Sequence, residues 1–382
     1  MNCEYKSLLR LLASIFDDSV TLEALDFCAD RLLLLARGHR VVIPAEAAWS
    51  RLAQAGRAPP VPAAWKVASA KDRLYSLEVA KWLGKLAGAF DEAGIAWTAL
   101  KGPALSKQVY GDPGWRTVRD LDVIVAPDRV ADAVEAARTL GWQAPDQWAA
   151  VMRVTGKIDV GLAGTAHTQP LLEIHNAFAP RHGGVNFGPI ASLSTQRVKV
   201  GVRTVPALAG EDAIVFVAWH GAKHLWMRLN WLLDLAGLLK AGNYDPAVLV
   251  DRARKVGAEA ALRGGILLAN RLLHGPIPPM PLATRSMERA AERIADWGEA
   301  RIALGPEEDA VGRRPWSYKW HLREARLGDR RSSLLSNGLS MLAPVAPDVR
   351  WLGPQRPLAC HYAARPFLLG RRIVADLISG GR

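Results

Sequence analysis

Cysteine is scarce in this chain of 382 residues: Cys3, Cys28 and Cys360 are the whole complement, far apart and never in a Cys-x-x-Cys pair. That excludes a disulfide framework or a thiolate zinc site as the basis of the fold, and it suits a reducing compartment. Long apolar runs are missing as well. The nearest candidates, Leu32–Ala36 and Phe367–Gly370, fall far short of the roughly 18 apolar residues needed to cross a bilayer. The first residues carry no long apolar stretch with a small-residue cleavage site, and there is no internal repeat or low-complexity tract. With half its residues hydrophobic and a mean hydropathy of +0.03, the chain is expected to be a globular cytoplasmic protein without a membrane partner.

Negative charge is also in short supply. Thirty-seven acidic residues face 49 Lys and Arg, giving a net charge of +12 and a pI near 9.9. Such an excess admits a polyanionic partner, a nucleotide or RNA. Much of it is late arginine: Arg313, Arg314, Arg323, Arg326, Arg330, Arg331, Arg371 and Arg372. These are interleaved with Leu and Glu at helical spacing, which favours solvated helix faces over a nucleic-acid patch.

Periodicity divides the chain coarsely. Residues 4–40 read as helical, with Pro44 and the three prolines of 57–62 as breaks. An amphipathic helix is expected over about 71–90, on the stripe Val79, Leu83, Leu86 and Phe90. A first strand follows at 95–100 and a second ends at Val125. A helix then begins near Pro127 and stops at Gly141. Between 148 and 205 alternation replaces helical spacing, with candidate strands at 157–160, 171–175 and 198–205. From Gly210 the pattern is helical again, either kinked or divided at Gly221. It is broken at 275–281, resumes over 286–302, and ends in a proline-punctuated segment and a last helix at 366–378. The pattern is α+β, a small mixed β-sheet flanked by helices, with an N-terminal and a larger C-terminal helical region.

The informative stretch is 101–125, where Lys101-Gly102-Pro103 leads through Tyr110-Gly111-Asp112 and Arg116 to Asp120-Leu121-Asp122-Val123-Ile124-Val125. Strand side chains alternate, so Asp120 and Asp122 share a face. Two carboxylates on one strand face are costly unless a cation lies between them, and a divalent metal is the usual solution. Glu173 in Leu171-Leu-Glu-Ile-His175 is the leading third acid, on one strand face with Leu171 and His175; Asp159 is its rival. His220-x-x-x-His224 has zinc-ligand spacing, but position 221 is Gly and no third ligand is evident, so structural or substrate-facing histidines are expected.

In order and spacing these segments resemble the largely uncharacterised bacterial nucleotidyltransferases, whose form is Leu-Lys-Gly, Tyr-Gly-Asp, Arg, Asp-x-Asp-x-x-Val, then Leu-Glu-x-His. A His-rich helix with Arg-Leu-x-Trp-Leu-x-Asp follows, matched here by Arg228 to Asp234. The resemblance covers roughly residues 95–235 and implies a polymerase-beta-like core, here 66–208, with a helical domain at 209–305 lining the cleft. By general pattern alone, helices at 1–65 precede the core and an Arg-rich helical extension occupies 306–382. It further implies transfer of an NMP from an NTP, with ATP as the default, to a hydroxyl or similar group of a small-molecule or peptide acceptor, releasing pyrophosphate. Asp120, Asp122 and Glu173 would hold two Mg²⁺ ions and carry catalysis; Lys101, Gly102, Arg116, His220, His224 and Arg228 would contact the nucleotide. RNA as acceptor and a non-catalytic nucleotide-binding or scaffold role on the same fold are the alternatives.

Overall fold

The computed structural model describes residues 3–22, 27–156, 158–178, 185–305, 343–353 and 355–378. Leu25, Lys157, the arginines from Arg313 to Arg331 and the side chain of Arg372 lie outside them. Seven strands form one mixed sheet: β1 Trp97–Ala99, β2 Asp120–Val125, β3 Trp142–Gln143, β4 Asp159–Gly164, β5 Leu171–His175, β6 Thr195–Val200 and β7 Arg203–Leu208. Their order is β3-β4-β5-β2-β1-β7-β6. At its centre, β2 runs parallel to β5 and antiparallel to β1. The expected α+β class holds.

Helices flank this sheet: α1 Cys3–Ala13, α2 Ala29–Gly38, α3 Val42–Gln54, α4 Ala63–Glu92, α5 Gly102–Tyr110, α6 Val130–Thr139 and α7 Trp148–Thr155. Beyond the sheet come α8 Gly210–Lys223, α9 Leu229–Ala241, α10 Pro246–Val256, α11 Glu259–Leu273, α12 Arg285–Ala303, α13 Ala346–Leu352 and α14 Leu358–Ile378. Two apolar cores result. On one face of the sheet, Leu121, Val123 and Val125 of β2 and Leu172 and Ile174 of β5 pack with Val79, Leu83, Leu86 and Phe90 of α4. Ile124, on the opposite face of β2, joins a second core built from α1–α3 and α8–α12. The N-terminal helices and the helices beyond residue 210 therefore share one apolar body. Trp65 and Ala68 enter that body while the later turns of α4 back the sheet, so one 30-residue helix ties the two together.

Several elements differ from the sequence pattern for identifiable reasons. Pro44 does not break a helix; it lies in the first turn of α3, where its missing N–H would have no intrahelical partner anyway. The alternation over 198–205 belongs to two strands, β6 and β7, because Gly201 at φ 61° turns the chain while apolar residues continue on both sides. Trp148–Thr155 is helical where alternation was expected. The last helix begins at Leu358, and Pro366 lies inside it.

Gly221 does not end α8; the interruption comes at 224–228. There Leu225 and Trp226 both take left-handed backbone, φ 49° and 50°, at roughly 1–2 kcal/mol each. The compensation is the Trp226 indole, fully buried in a socket of three glycines. A Cβ would come within 2.2 Å of that ring from Gly221 of α8, 2.6 Å from Gly265 of α11 and 2.9 Å from Gly298 of α12. Helix propensity alone says that Gly265→Ala in mid-helix stabilises by about 1 kcal/mol. The socket reverses the sign: urea denaturation should show a loss of about 1–3 kcal/mol, and a gain would contradict the packing described.

Candidate active site

Parallel pairing of β2 with β5 places Asp120 beside Leu171, Asp122 beside Glu173 and Ile124 beside His175. Residues on one strand face recur every second position, so Asp120, Asp122, Glu173 and His175 all lie on the face turned toward the helical body. Leu100 N–H, just past β1, donates to the Asp122 carbonyl at 3.0 Å. The chain then turns through Lys101 into α5, beginning at Gly102 with φ 71°. A Cβ at Gly102 would stay 3.7 Å from the Asp120 carbonyl, so backbone conformation rather than space is what calls for glycine here. Pro103 follows and removes one amide from the start of α5.

The centre of the site is Asp122, 4% exposed. Its Oδ1 accepts from Lys101 Nζ at 3.3 Å and from His175 Nε2 at 3.3 Å. The same His175 nitrogen lies 3.6 Å from Glu173 Oε2. Burial works against the Asp122 carboxylate, but Lys101 and His175 outweigh it and hold the group well below the usual carboxylate range. Burial likewise opposes charge on His175. Hydrogen bonds to Asp122 and Glu173, with the charges of Asp122 and Asp159, raise it from 6.5 to about 9.

Asp122 Oδ2 is buried with no hydrogen-bond partner among the described residues. An orphaned carboxylate oxygen costs about 1–3 kcal/mol or more, and it is where a bound cation would gain most. Among the described residues, Asp122, Glu173 and His175 form a group whose ligand atoms all lie within 4.8 Å of one another. Two carboxylates and an imidazole suit Mn²⁺ and Zn²⁺ as well as Mg²⁺, whose own preference is for oxygen ligands. Asp120 is outside this group, about 7 Å along the strand from Asp122 by the strand repeat. Its charge acts on Arg40 and Arg116. The rival acid Asp159 faces His175 across β4–β5 and adds charge without being among the three.

The remaining sequence-derived residues divide. Lys101 Nζ also meets His220 Nε2 at 3.4 Å. His220 is held neutral, its pKa pushed far down by burial and then by Lys101. His220, His224 and Trp231 bring their rings together at 4.7, 5.2 and 5.3 Å between centroids, although the helix expected to align them is broken between α8 and α9. Arg228 is buried at the start of α9, its guanidinium 6.0 Å from the Trp231 ring centroid. Arg116 is buried and bound through Nε to Asp234 Oδ2 at 2.8 Å. Tyr110 donates to the other oxygen of Asp234 at 3.3 Å. Burial lowers the Arg116 pKa but Asp234 more than restores it, so this guanidinium braces α5 and the approach to β2 against α9. Arg119 ion-pairs with Asp72 at 3.5 Å, away from the carboxylates.

Sequence reasoning missed two participants. His175 could have been named as a ligand, since alternation from Glu173 puts it on the same face. The anchoring role of Asp234 has no local signal, because its partner Arg116 is 118 residues away in the chain.

A family model described as "Uncharacterised nucleotidyltransferase" matches residues 26–274, from just before α2 to the end of α11. The chain belongs to that family. The match takes in the carboxylate strands and the His-rich helix, together with α2 and α3 of the N-terminal region. Among solved structures, an antigenic nucleotidyltransferase-like protein from Paracoccidioides brasiliensis is similar at 11% identity, over 62% of this chain and 96% of that one, with a TM-score of 0.32. So slight a likeness carries no argument. No curated protein matches, and among the described residues no helix is long and apolar enough to cross a membrane.

The His175 environment has a measurable consequence in metal-free protein. Because the folded-state value lies above 6.5, protonated His175 stabilises the fold below about pH 6.5, and that contribution fades as pH rises through about 9. In EDTA-treated protein, unfolding free energy should fall across this window, by up to roughly 3 kcal/mol. His175→Gln should flatten the profile. An unchanged slope in that variant would mean that the ring is not shared between Asp122 and Glu173.

Proposed function

We propose that the chain transfers a nucleoside monophosphate from an NTP, ATP by default, to a hydroxyl or similar group of a small-molecule or peptide acceptor, with release of pyrophosphate. The observation that carries this reading is the orphaned Oδ2 of buried Asp122, set beside Glu173 by the β2–β5 pairing. A carboxylate kept ionised in the interior with an oxygen to spare fits a cation that arrives with the substrate. Asp122, Glu173 and His175 would hold that divalent ion, and Asp120 would serve a second. Bound there, Mg²⁺ would neutralise charge on the entering and leaving oxygens of an in-line displacement.

The protein groups have distinct parts in this scheme. Lys101, at the start of α5 and in contact with Asp122, has a mobile ammonium that can exchange the carboxylate for phosphate oxygens. Gly102 lets the phosphates approach the first turn of α5, where helix-terminal amides favour anions. Glu173, a third exposed, is open enough to meet an acceptor hydroxyl and take its proton. His220, His224 and Arg228 form the nucleotide-facing wall of the helical body. Arg116 acts at one remove, holding α5 and α9 in register through Asp234.

Two other readings remain distinct. A non-catalytic nucleotide-binding or scaffold protein would keep the Lys101–Asp122–His175 cluster as an ion network and release no pyrophosphate from any NTP. An RNA acceptor would give steeply salt-dependent RNA binding. The preferred reading is tested by pyrophosphate release from each NTP with and without Mg²⁺ in wild type, Asp122→Asn and Glu173→Gln. The expected result is Mg²⁺-dependent release that falls about a hundred-fold or more in both variants, with the far-UV circular dichroism retained. Turnover unaffected by Asp122→Asn would remove the site assignment.

A further inference from the structure

Lys101 stands between two acceptors of unlike kind. Its Nζ donates to Asp122 Oδ1 at 3.3 Å and to His220 Nε2 at 3.4 Å. An ammonium has three N–H groups and no lone pair, so Nε2 is the accepting nitrogen of His220 and the ring proton sits on Nδ1. The ring meeting Lys101 is therefore neutral. Packing sets its orientation: Phe216, Trp231 and His224 lie at 5.8, 5.2 and 4.7 Å between ring centroids. The third N–H of Lys101 meets no acceptor among the described residues, and the side chain is only 13% exposed.

The backbone of Lys101 is held on both sides. Leu100 before it donates to the Asp122 carbonyl, and Gly102 after it opens α5 at φ 71°. Only the flexible four-carbon stem can carry the ammonium elsewhere. In the ligand-free protein that ammonium stands on the carboxylate expected to bind a divalent ion. His175 also donates to Oδ1, but an imidazole nitrogen can serve as a ligand instead of a donor. An ammonium can only leave. Like charges a few ångströms apart in a poorly hydrated interior repel strongly, so a divalent ion on Asp122 and Lys101 in its present place oppose each other.

Resting on the nucleotidyl-transfer reading, we infer that Lys101 is a built-in cation that holds Asp122 until nucleotide arrives, and that His220 is the positioning residue that keeps the displaced ammonium at the site. Moved off Asp122, Lys101 retains its contact with Nε2 and offers its remaining N–H groups to the triphosphate oxygens. A neutral acceptor suits this part, because it holds the ammonium without cancelling the charge that the phosphates need. A divalent ion alone leaves Lys101 without a counter-charge, and nucleotide alone leaves it shared with Asp122. Each ligand thus raises the affinity of the other, and the coupling is reciprocal.

The test is Mn²⁺ titration without nucleotide, followed by electron paramagnetic resonance, and calorimetric titration of a non-hydrolysable ATP analogue with Mn²⁺ present. The proteins are wild type, Lys101→Met, His220→Phe and the double variant. Lys101→Met should bind Mn²⁺ about ten-fold or more tighter than wild type and the analogue about ten-fold or more weaker, the size of one charge-assisted contact. Opposite shifts separate this role from a structural one, whose loss weakens both ligands. Lys101→Gln should behave alike and keeps the test open if the methionine variant does not fold. His220→Phe keeps an aromatic ring against Phe216 and Trp231 but cannot accept. It should weaken both ligands by about two- to five-fold, and in the Lys101→Met background it should shift neither by more than about two-fold. Mn²⁺ affinity unchanged or lowered by removing the Lys101 charge would overturn the inference, as would a His220→Phe effect that persists in the double variant; Mn²⁺ bound by wild type with the analogue would still leave the metal site standing. If neither wild type with the analogue nor Lys101→Met binds Mn²⁺, the metal site and the nucleotidyl-transfer reading fail and take this inference with them.

Discussion

A carboxylate buried at the centre of a β-sheet is the constraint on which this structure depends. Asp122 cannot remain ionised there unless cations are brought to it, and the fold supplies them from two directions. Lys101 arrives from the turn between β1 and α5, and His175 from the far end of β5, through a parallel pairing that also delivers Glu173. Each requires that several elements be in register, so the strand order and the start of α5 are determined together. What the described residues do not supply is a hydrogen-bond partner for Oδ2. The interior accommodates a charged group with one oxygen left over, which is reasonable for a site whose last ligand comes with substrate.

The helical body is the second half of the same arrangement. The β2 face that carries Asp120 and Asp122 turns toward the core in which α1–α3 and α8–α12 pack together. Residues before α4 and residues after β7 therefore meet above the carboxylates, and neither group could shape that side alone. The Trp226 socket holds a left-handed segment between α8 and α9 in place. His224 and Arg228 flank this segment and so inherit its position from packing some distance from the chemistry. Backbone strain beside a candidate site, compensated by one indole among three glycines, is consistent with positions set for binding rather than for stability alone.

The strand bearing the two aspartates and the Leu-Glu-Ile-His strand were legible because alternation is local and their composition is unusual. Both boundaries of β5 and the far end of β2 agree with the structure. The α+β class followed from the same change of period along the chain. What was not legible is longer-range. Alternation running through Gly201 concealed the β6–β7 hairpin, and Pro44 resembles a break unless its place in a first turn is known. Asp120 and Asp122 are equivalent by spacing, yet only Asp122 has Glu173 beside it, because register with β5 distinguishes them. Arg116 has the look of a phosphate clamp in sequence and is bonded to Asp234 in space.

The central claim is that Asp122, Glu173 and His175 form a divalent-cation site that accompanies nucleotide binding. Its most direct test is titration of Mn²⁺ followed by electron paramagnetic resonance, in wild type and in His175→Ala, with and without a non-hydrolysable ATP analogue. The account predicts bound Mn²⁺ in wild type, tighter with the analogue present and weakened when His175 is removed. Free Mn²⁺ throughout, in wild type with the analogue at saturating concentration, would contradict it and leave the cluster as an internal ion network.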